Sequence, residues 1–140
     1  MFYMTKKKIL VPLDGTDRSM HSLDWLKKLF KEDKVTITLM TIREIVMAND
    51  MTITNSTIEQ AQKDMDEILD KAEKKLEGYE VEKYSDFGSA PDKILLKSKL
   101  DNYDVIIMTK SNKKGLARII GSVTNKVLKN ADTLVIVVPE

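Results

Sequence analysis

Asp104–Val123 reads DVIIMTKSNKKGLARIIGSV, and its three parts decide what kind of fold this chain adopts. Val105-Ile106-Ile107-Met108 is a short apolar run of the kind that forms a buried strand. A polar, lysine-rich loop follows from Thr109 to Lys114. The stretch closes on Gly121-Ser122, a helix-start signal, because a serine side chain can cap the amides left unpaired at a helix N-terminus. A strand that runs through a loop into a helix presents backbone N–H groups and the positive end of a helix dipole, which suits an anion such as phosphate. Lys110, Lys113, Lys114 and Arg118 add positive charge nearby. A solvated connector is the other reading of the same residues, and the local sequence does not separate the two.

Downstream, Val123, Val127, Leu128 and Ala131 give the final helix a buried face, and Thr133–Val138 is a last strand closed by Pro139. Upstream, Ile94–Leu100 is a short helix behind the turn Phe87-Gly88-Ser89-Ala90-Pro91, with Ser89 as cap and Pro91 in the first helical turn. Val81–Asp86 is a weaker strand, polar enough to lie at a sheet edge. Ser56 and Glu59 form a capping box at the head of a long helix. Its apolar stripe is Ile58, Ala61, Met65, Ile68, Leu69, Ala72 and Leu76, and Gly78 ends it. At helical spacing such a stripe is core, not a cofactor box. Residues 43–56 match neither period and read as a long loop whose apolar load suits packing over a cleft or a neighbouring subunit, local disorder being the alternative.

Nearer the N-terminus, Val35–Ile42 is a strand rich in β-branched residues. Met20, Leu23, Leu26, Leu29 and Phe30 recur at helical spacing, with Thr16 or Asp17 as cap. Ile9–Leu13 is a compact apolar run ending at Asp14-Gly15-Thr16, suited to a strand buried on both faces. Pro12 argues weakly against a central position, since it lacks an N–H.

The order is therefore β-α-β-α-β-α-β-α-β, which implies an α/β fold with a parallel sheet, right-handed crossovers and helices on both faces. Ligands of such sheets bind beyond the carboxyl ends of the strands, where the strand order reverses. In the common order 3-2-1-4-5 that crevice lies between strands one and four. Asp14 follows strand one and Thr109 follows strand four, so the two most chemically loaded loops would face each other.

Composition narrows the function classes. A chain of 140 residues is one ordinary domain with room for a real core. Its 23 basic and 22 acidic residues nearly cancel, so no bulk charge points to nucleic acid or to a membrane surface. The absence of cysteine removes disulfides, thiolate zinc sites and cysteine nucleophiles. No apolar run approaches the ~20 residues of a membrane span, and MFYMTKKK is too short in apolar residues for a signal peptide. A cytoplasmic protein is expected. His21, the only histidine, falls one position off the first helix's stripe, so no Ser-His-Asp set and no His-rich metal site is expected. Trp25 and the tyrosines are too scattered to stack single-stranded bases.

The chain resembles the universal stress protein family across essentially its whole length. The fragments that carry this are KKILVPLDGTDRS, TLMTI, FGSAPDKIL, DVIIMTKS and GLARIIGSVTNKVLKNADTLVIVV, in that order. The resemblance implies a single domain over residues 1–140 with a Rossmann-like (adenine nucleotide alpha hydrolase-like) five-stranded parallel sheet, order 3-2-1-4-5. It also implies a homodimer joined through the last strand, residues 133–138. One branch of the family binds ATP and another does not. The binding branch carries a glycine, two residues, a second glycine, nine residues, then Gly-Ser or Gly-Thr. Gly121-Ser122 matches the end of that motif, but counting back places Met108 and Ser111 at the two glycine positions, or Thr109 and Asn112 if Gly115 sets the register. Only glycine lets the backbone approach phosphate closely at positive φ. A strained substitute costs about one to a few kcal/mol, enough to move micromolar binding towards millimolar.

The implied adenine-nucleotide site comprises Pro12, Asp14, Thr41, Thr109, Ser111, Gly121, Ser122, Val123 and Thr124. In that assignment Asp14 accepts hydrogen bonds from ribose hydroxyls, with helix capping or turn stabilisation as its other role. Thr41 offers a backbone group to adenine, and Ser122, Val123 and Thr124 offer amides and hydroxyls to phosphate. Lys110, Lys113 or Arg118 would compensate for the missing glycines. Two expectations follow. One is a non-catalytic, homodimeric stress-response module with a vestigial pocket that acts through protein contacts. The other is a regulatory module that binds ATP or another adenine nucleotide through Asp14 and the 109–124 loop. The final strand supports the dimer independently, because a continuous apolar edge invites pairing unless the 43–56 loop covers it.

Overall fold

Five parallel strands organise the described residues, 5–44, 55–110 and 121–139, of the computed structural model. In chain order the elements are β1 (Lys7–Leu13), α1 (Asp17–Leu29), β2 (Val35–Arg43), α2 (Asn55–Lys75), β3 (Glu80–Phe87), α3 (Ala90–Leu100), β4 (Val105–Thr109), α4 (Ser122–Asn130) and β5 (Leu134–Val138). A single 3-10 turn, Glu32–Lys34, precedes β2. The sheet order is β3-β2-β1-β4-β5, as the resemblance implies.

Because successive strand residues point to opposite faces, one apolar run serves two cores. Ile9, Val11, Ile37, Leu39 and Ile107 face α1 and α2, where Leu23, Leu26, Leu69 and Ala72 meet them. Leu10, Met40, Ile106 and Met108 face α3 and α4, packing with Ile94 and Val127. On that second face the Tyr103 hydroxyl donates to Thr38 Oγ1 at 2.7 Å, which satisfies two polar groups that would otherwise be costly to bury.

Pro12 sits in the central strand after all, and the ladder shows why it is tolerated. Lys8 donates its N–H to Asp104 and accepts from the Asp104 N–H, so its backbone faces β4. Alternation puts Leu10 and Pro12 on the same side. The β1–β4 ladder runs only through Ile9↔Val105 and Leu10↔Ile106, whereas the β1–β2 ladder continues to Leu13↔Thr41. The missing N–H therefore points to where no ladder bond is due, and β1 and β4 separate from Pro12 onward.

Several local expectations are corrected. α2 begins at Asn55, so Ser56 lies inside the first turn rather than capping it, and the loop expected over 43–56 gives Arg43 to β2 and Asn55-Ser56 to α2. The rest of that loop, 45–54, lies outside the described residues, as does Ser111. Leu29 is exposed because α1 ends there and Phe30, turned extended, packs against the core instead. Ile58 is exposed because the α2 stripe meets the sheet only from Met65 onward. Leu128 lies at the rim of α4, whose buried side chains are Thr124 and Val127. At the head of α4 the cap position belongs to Gly121, and Ser122 is the first helical residue. Thr16, as expected, caps α1 by accepting from the Ser19 N–H at 3.1 Å.

The start of α3 is pinned to the end of β3. Asp86 accepts from the Phe87 N–H at 2.8 Å and pairs with Lys93 Nζ at 3.1 Å, and these contacts, the amide first, hold its carboxyl below the usual range. A lowered folded pKa means the stabilisation is fully present above the unfolded value of ~3.9 and fades as pH falls through the folded one. Asp86→Asn should lower the melting temperature modestly at neutral pH. The gap to wild type should close below about pH 4 in melts run from roughly pH 2 to pH 6; a gap independent of pH would contradict the assignment.

Candidate functional site

Where β1 and β4 separate, a cavity of about 110 Å³ opens at the carboxyl end of the sheet. Its floor and walls are Pro12, Leu13 and Asp14 from the end of β1, Met40 and Ile42 from β2, and Met108 and Thr109 from β4. Ser19 of α1, Ala90 and Ile94 of α3, and Val123 and Thr124 of α4 complete it. The cavity is thus mostly apolar, and Asp14 is the one ionisable side chain among the described residues that line it. The N-terminal turns of α1, α3 and α4 all meet there. Each helix start carries amides without intrahelical partners and a fractional positive charge. The arrangement combines an apolar cavity with helix starts whose partial charge favours an anion.

Asp14 is exposed at the mouth. Its Oδ1 accepts from the Thr16 N–H at 2.9 Å and from the Thr16 hydroxyl at 2.6 Å. One oxygen therefore shapes the turn, and a carboxylate has acceptor capacity beyond those two bonds. Both roles weighed for this residue, turn stabiliser and ligand acceptor, are compatible in one geometry. Gly15, at φ +86°, makes the turn possible, a conformation that a residue with a side chain adopts only under strain.

Pro12, Asp14, Thr109, Val123 and Thr124 of the expected set come together on the cavity. Gly121 and Ser122 sit just beyond it, at the cap and first position of α4. Thr41 is buried in register with Leu13, and alternation turns its side chain to the face opposite Met40 and Ile42. Only its backbone is left for a ligand. The Thr124 hydroxyl donates to the Thr109 carbonyl at 3.2 Å, which ties α4 to β4 and leaves no hydroxyl proton there for phosphate. Ser122 is exposed, and the first amides of α4 have no partner within the helix itself. Leu13, Ser19, Met40, Ile42, Ala90 and Ile94 were not foreseen as lining residues. In a strand buried on both faces, hydrophobicity does not tell Met40 from Leu39. Only the 2-residue alternation, counted from a known pocket wall, would have selected Met40 and Ile42.

His21 is exposed on α1. Among the described residues no group of three or more histidine or acidic side chains could hold a metal ion, and no helix is long and apolar enough to cross a membrane.

Comparison with known proteins closes the question of kinship. The model of the Universal stress protein family matches residues 5–139. No curated protein matches the chain. Among solved structures, the hypothetical protein MJ0577 superposes with a TM-score of 0.74 at 24% identity, over 99% of this chain and 98% of its own. A universal stress protein solved in complex with cAMP gives 0.73 at 17% identity, over 94% and 96%. A universal stress protein family member from Arabidopsis thaliana with AMP bound gives 0.71 at 16% identity, over 96% and 92%. At such identities the structural likeness speaks for the fold. The family match, over nearly the full length, assigns this chain to the universal stress protein family.

Proposed function

We propose that the chain is a non-catalytic regulatory module that binds an adenine nucleotide in the cavity between β1 and β4 and acts as a homodimer through protein contacts. The observation that carries the reading is the apolar cavity with a single carboxylate at its mouth and three helix N-termini around it. An adenine ring fits the slot between Met40, Ile42, Ile94 and Met108, the ribose hydroxyls donate to Asp14, and phosphate meets the start of α4. The cAMP and AMP complexes of the two structural relatives support the choice of ligand class. Met108 and Ser111, or Thr109 and Asn112, stand where the ATP-binding branch has glycines. Affinity then comes from the adenosine end, and AMP should bind at least as well as ATP.

The dimer rests on β5. Its residues are all apolar, and Leu134 is 62% exposed. The other edge, β3, carries Glu80, Glu82 and Lys83, which discourage pairing. The Lys110 N–H donates to the Val138 carbonyl, so Val138, Ile136 and Leu134 turn their backbones to β4, and Val135 and Val137 turn theirs outward. A second copy of β5 would meet that outward row about a two-fold axis.

Two experiments test these readings. Titration with AMP should raise the unfolding free energy by about 2.7 kcal/mol at 100 times the dissociation constant. Asp14→Ala should weaken binding by about tenfold, the scale of one charged hydrogen bond. No stabilisation by millimolar AMP, cAMP or ATP would refute the nucleotide reading, and phosphate release from ATP above a no-protein control would refute the non-catalytic one. For the dimer, Val137→Pro removes an outward N–H while sparing the β4 ladder. Light scattering should show a dimer for wild type and a monomer for the variant; a monomeric wild type would refute the pairing.

A further inference from the structure

The Asp14 turn is held from behind by a helix that contributes no lining residue to the cavity. Ile68, two-thirds of the way along α2, packs against the same core cluster as Leu13 and Leu69. Its side chain lies directly on Gly15: a Cβ placed on that glycine would stand 2.8 Å from Ile68 Cδ1 and 3.3 Å from Cγ1. One turn further on, Lys71 Nζ lies 3.8 Å from the Asp17 carboxylate at the start of α1. That pair is exposed and worth little, so the apolar contact dominates. Gly15 therefore sits between its own positive-φ turn and the tip of Ile68, with no room for a side chain. The next peptide delivers the Thr16 N–H that fixes Asp14 Oδ1.

We infer that Ile68 is a positioning residue through which α2 sets the Asp14 carboxylate for the ribose, so that the site's preference for ribose hydroxyls depends on a helix outside the cavity. This deepens the nucleotide reading and rests on it. Shortening Ile68 leaves the adenine slot intact but frees the Gly15 backbone to relax towards α2, and Asp14 follows. The loss should fall on ligands whose hydroxyls Asp14 accepts and should spare those without them.

The test compares AMP with 2′,3′-dideoxyadenosine monophosphate by calorimetry, on wild type, Ile68→Ala and Ile68→Val, at a temperature where all three are folded. Wild type should prefer AMP. Ile68→Ala should lose about fivefold in AMP affinity, the size of a single positioned hydrogen bond, with less than about a twofold change for the dideoxy ligand. Ile68→Val should recover most of the difference. In the ligand-free protein the Thr16 amide resonance should shift in Ile68→Ala, while that of Asn125, bonded to Gly121 in α4, stays in place. Equal losses for both ligands, or an unchanged ratio, would overturn the inference and leave the nucleotide reading standing. No binding of either ligand to wild type would overturn both, and the Thr16 resonance would still report whether α2 and the turn are coupled.

Discussion

The incomplete ladder between β1 and β4 is the constraint from which the rest of the site follows. Parallel strands stay paired only while each can supply its bonds, and Pro12 withdraws a donor on the β4 side two residues after Leu10↔Ile106. Beyond that pair the strands part, with β2 still holding β1 as far as Leu13. The gap forms where the strand order reverses, so neither crossover covers it. α1 leaves β1 towards one face of the sheet, α4 leaves β4 towards the other, and the cavity remains between their starts.

The parts around the gap are held by different interactions, and their costs differ. The walls are core side chains, Met40, Ile94 and Met108, whose burial is a hydrophobic gain of about 1.5–3 kcal/mol each. The rim is polar and local: Asp14 with Thr16, and Thr124 with Thr109. Removing one rim contact costs a fraction of the fold's stability but moves the group that a ligand meets.

Much of this was legible in the sequence, for reasons that can be stated element by element. The apolar runs at β1, β2, β4 and β5 and the stripe from Met65 to Leu76 are strong signals because burial on two faces, or along one helix face, leaves few polar positions. Asp14 and Thr109 could be placed opposite each other from topology alone. The misreadings sit at element ends, where one backbone torsion decides. Ser56 and Ser122 look like caps, yet both lie inside their helices, and Leu29 lost its place to Phe30 when α1 stopped. The role of Ile68 could not be foreseen, since the contact with Gly15 joins residues 53 positions apart and leaves no periodic trace.

Methionine methyl groups report on the central claim most directly, because Met40 and Met108 line the cavity while Met65 is buried in α2 beyond the opposite face of the sheet. In a carbon–proton spectrum of methyl-labelled protein, addition of AMP should shift the Met40 and Met108 resonances with one common saturation curve and leave Met65 where it was. Saturable shifts that bypass Met40 and Met108, or none at all at millimolar AMP, would contradict a nucleotide site between β1 and β4.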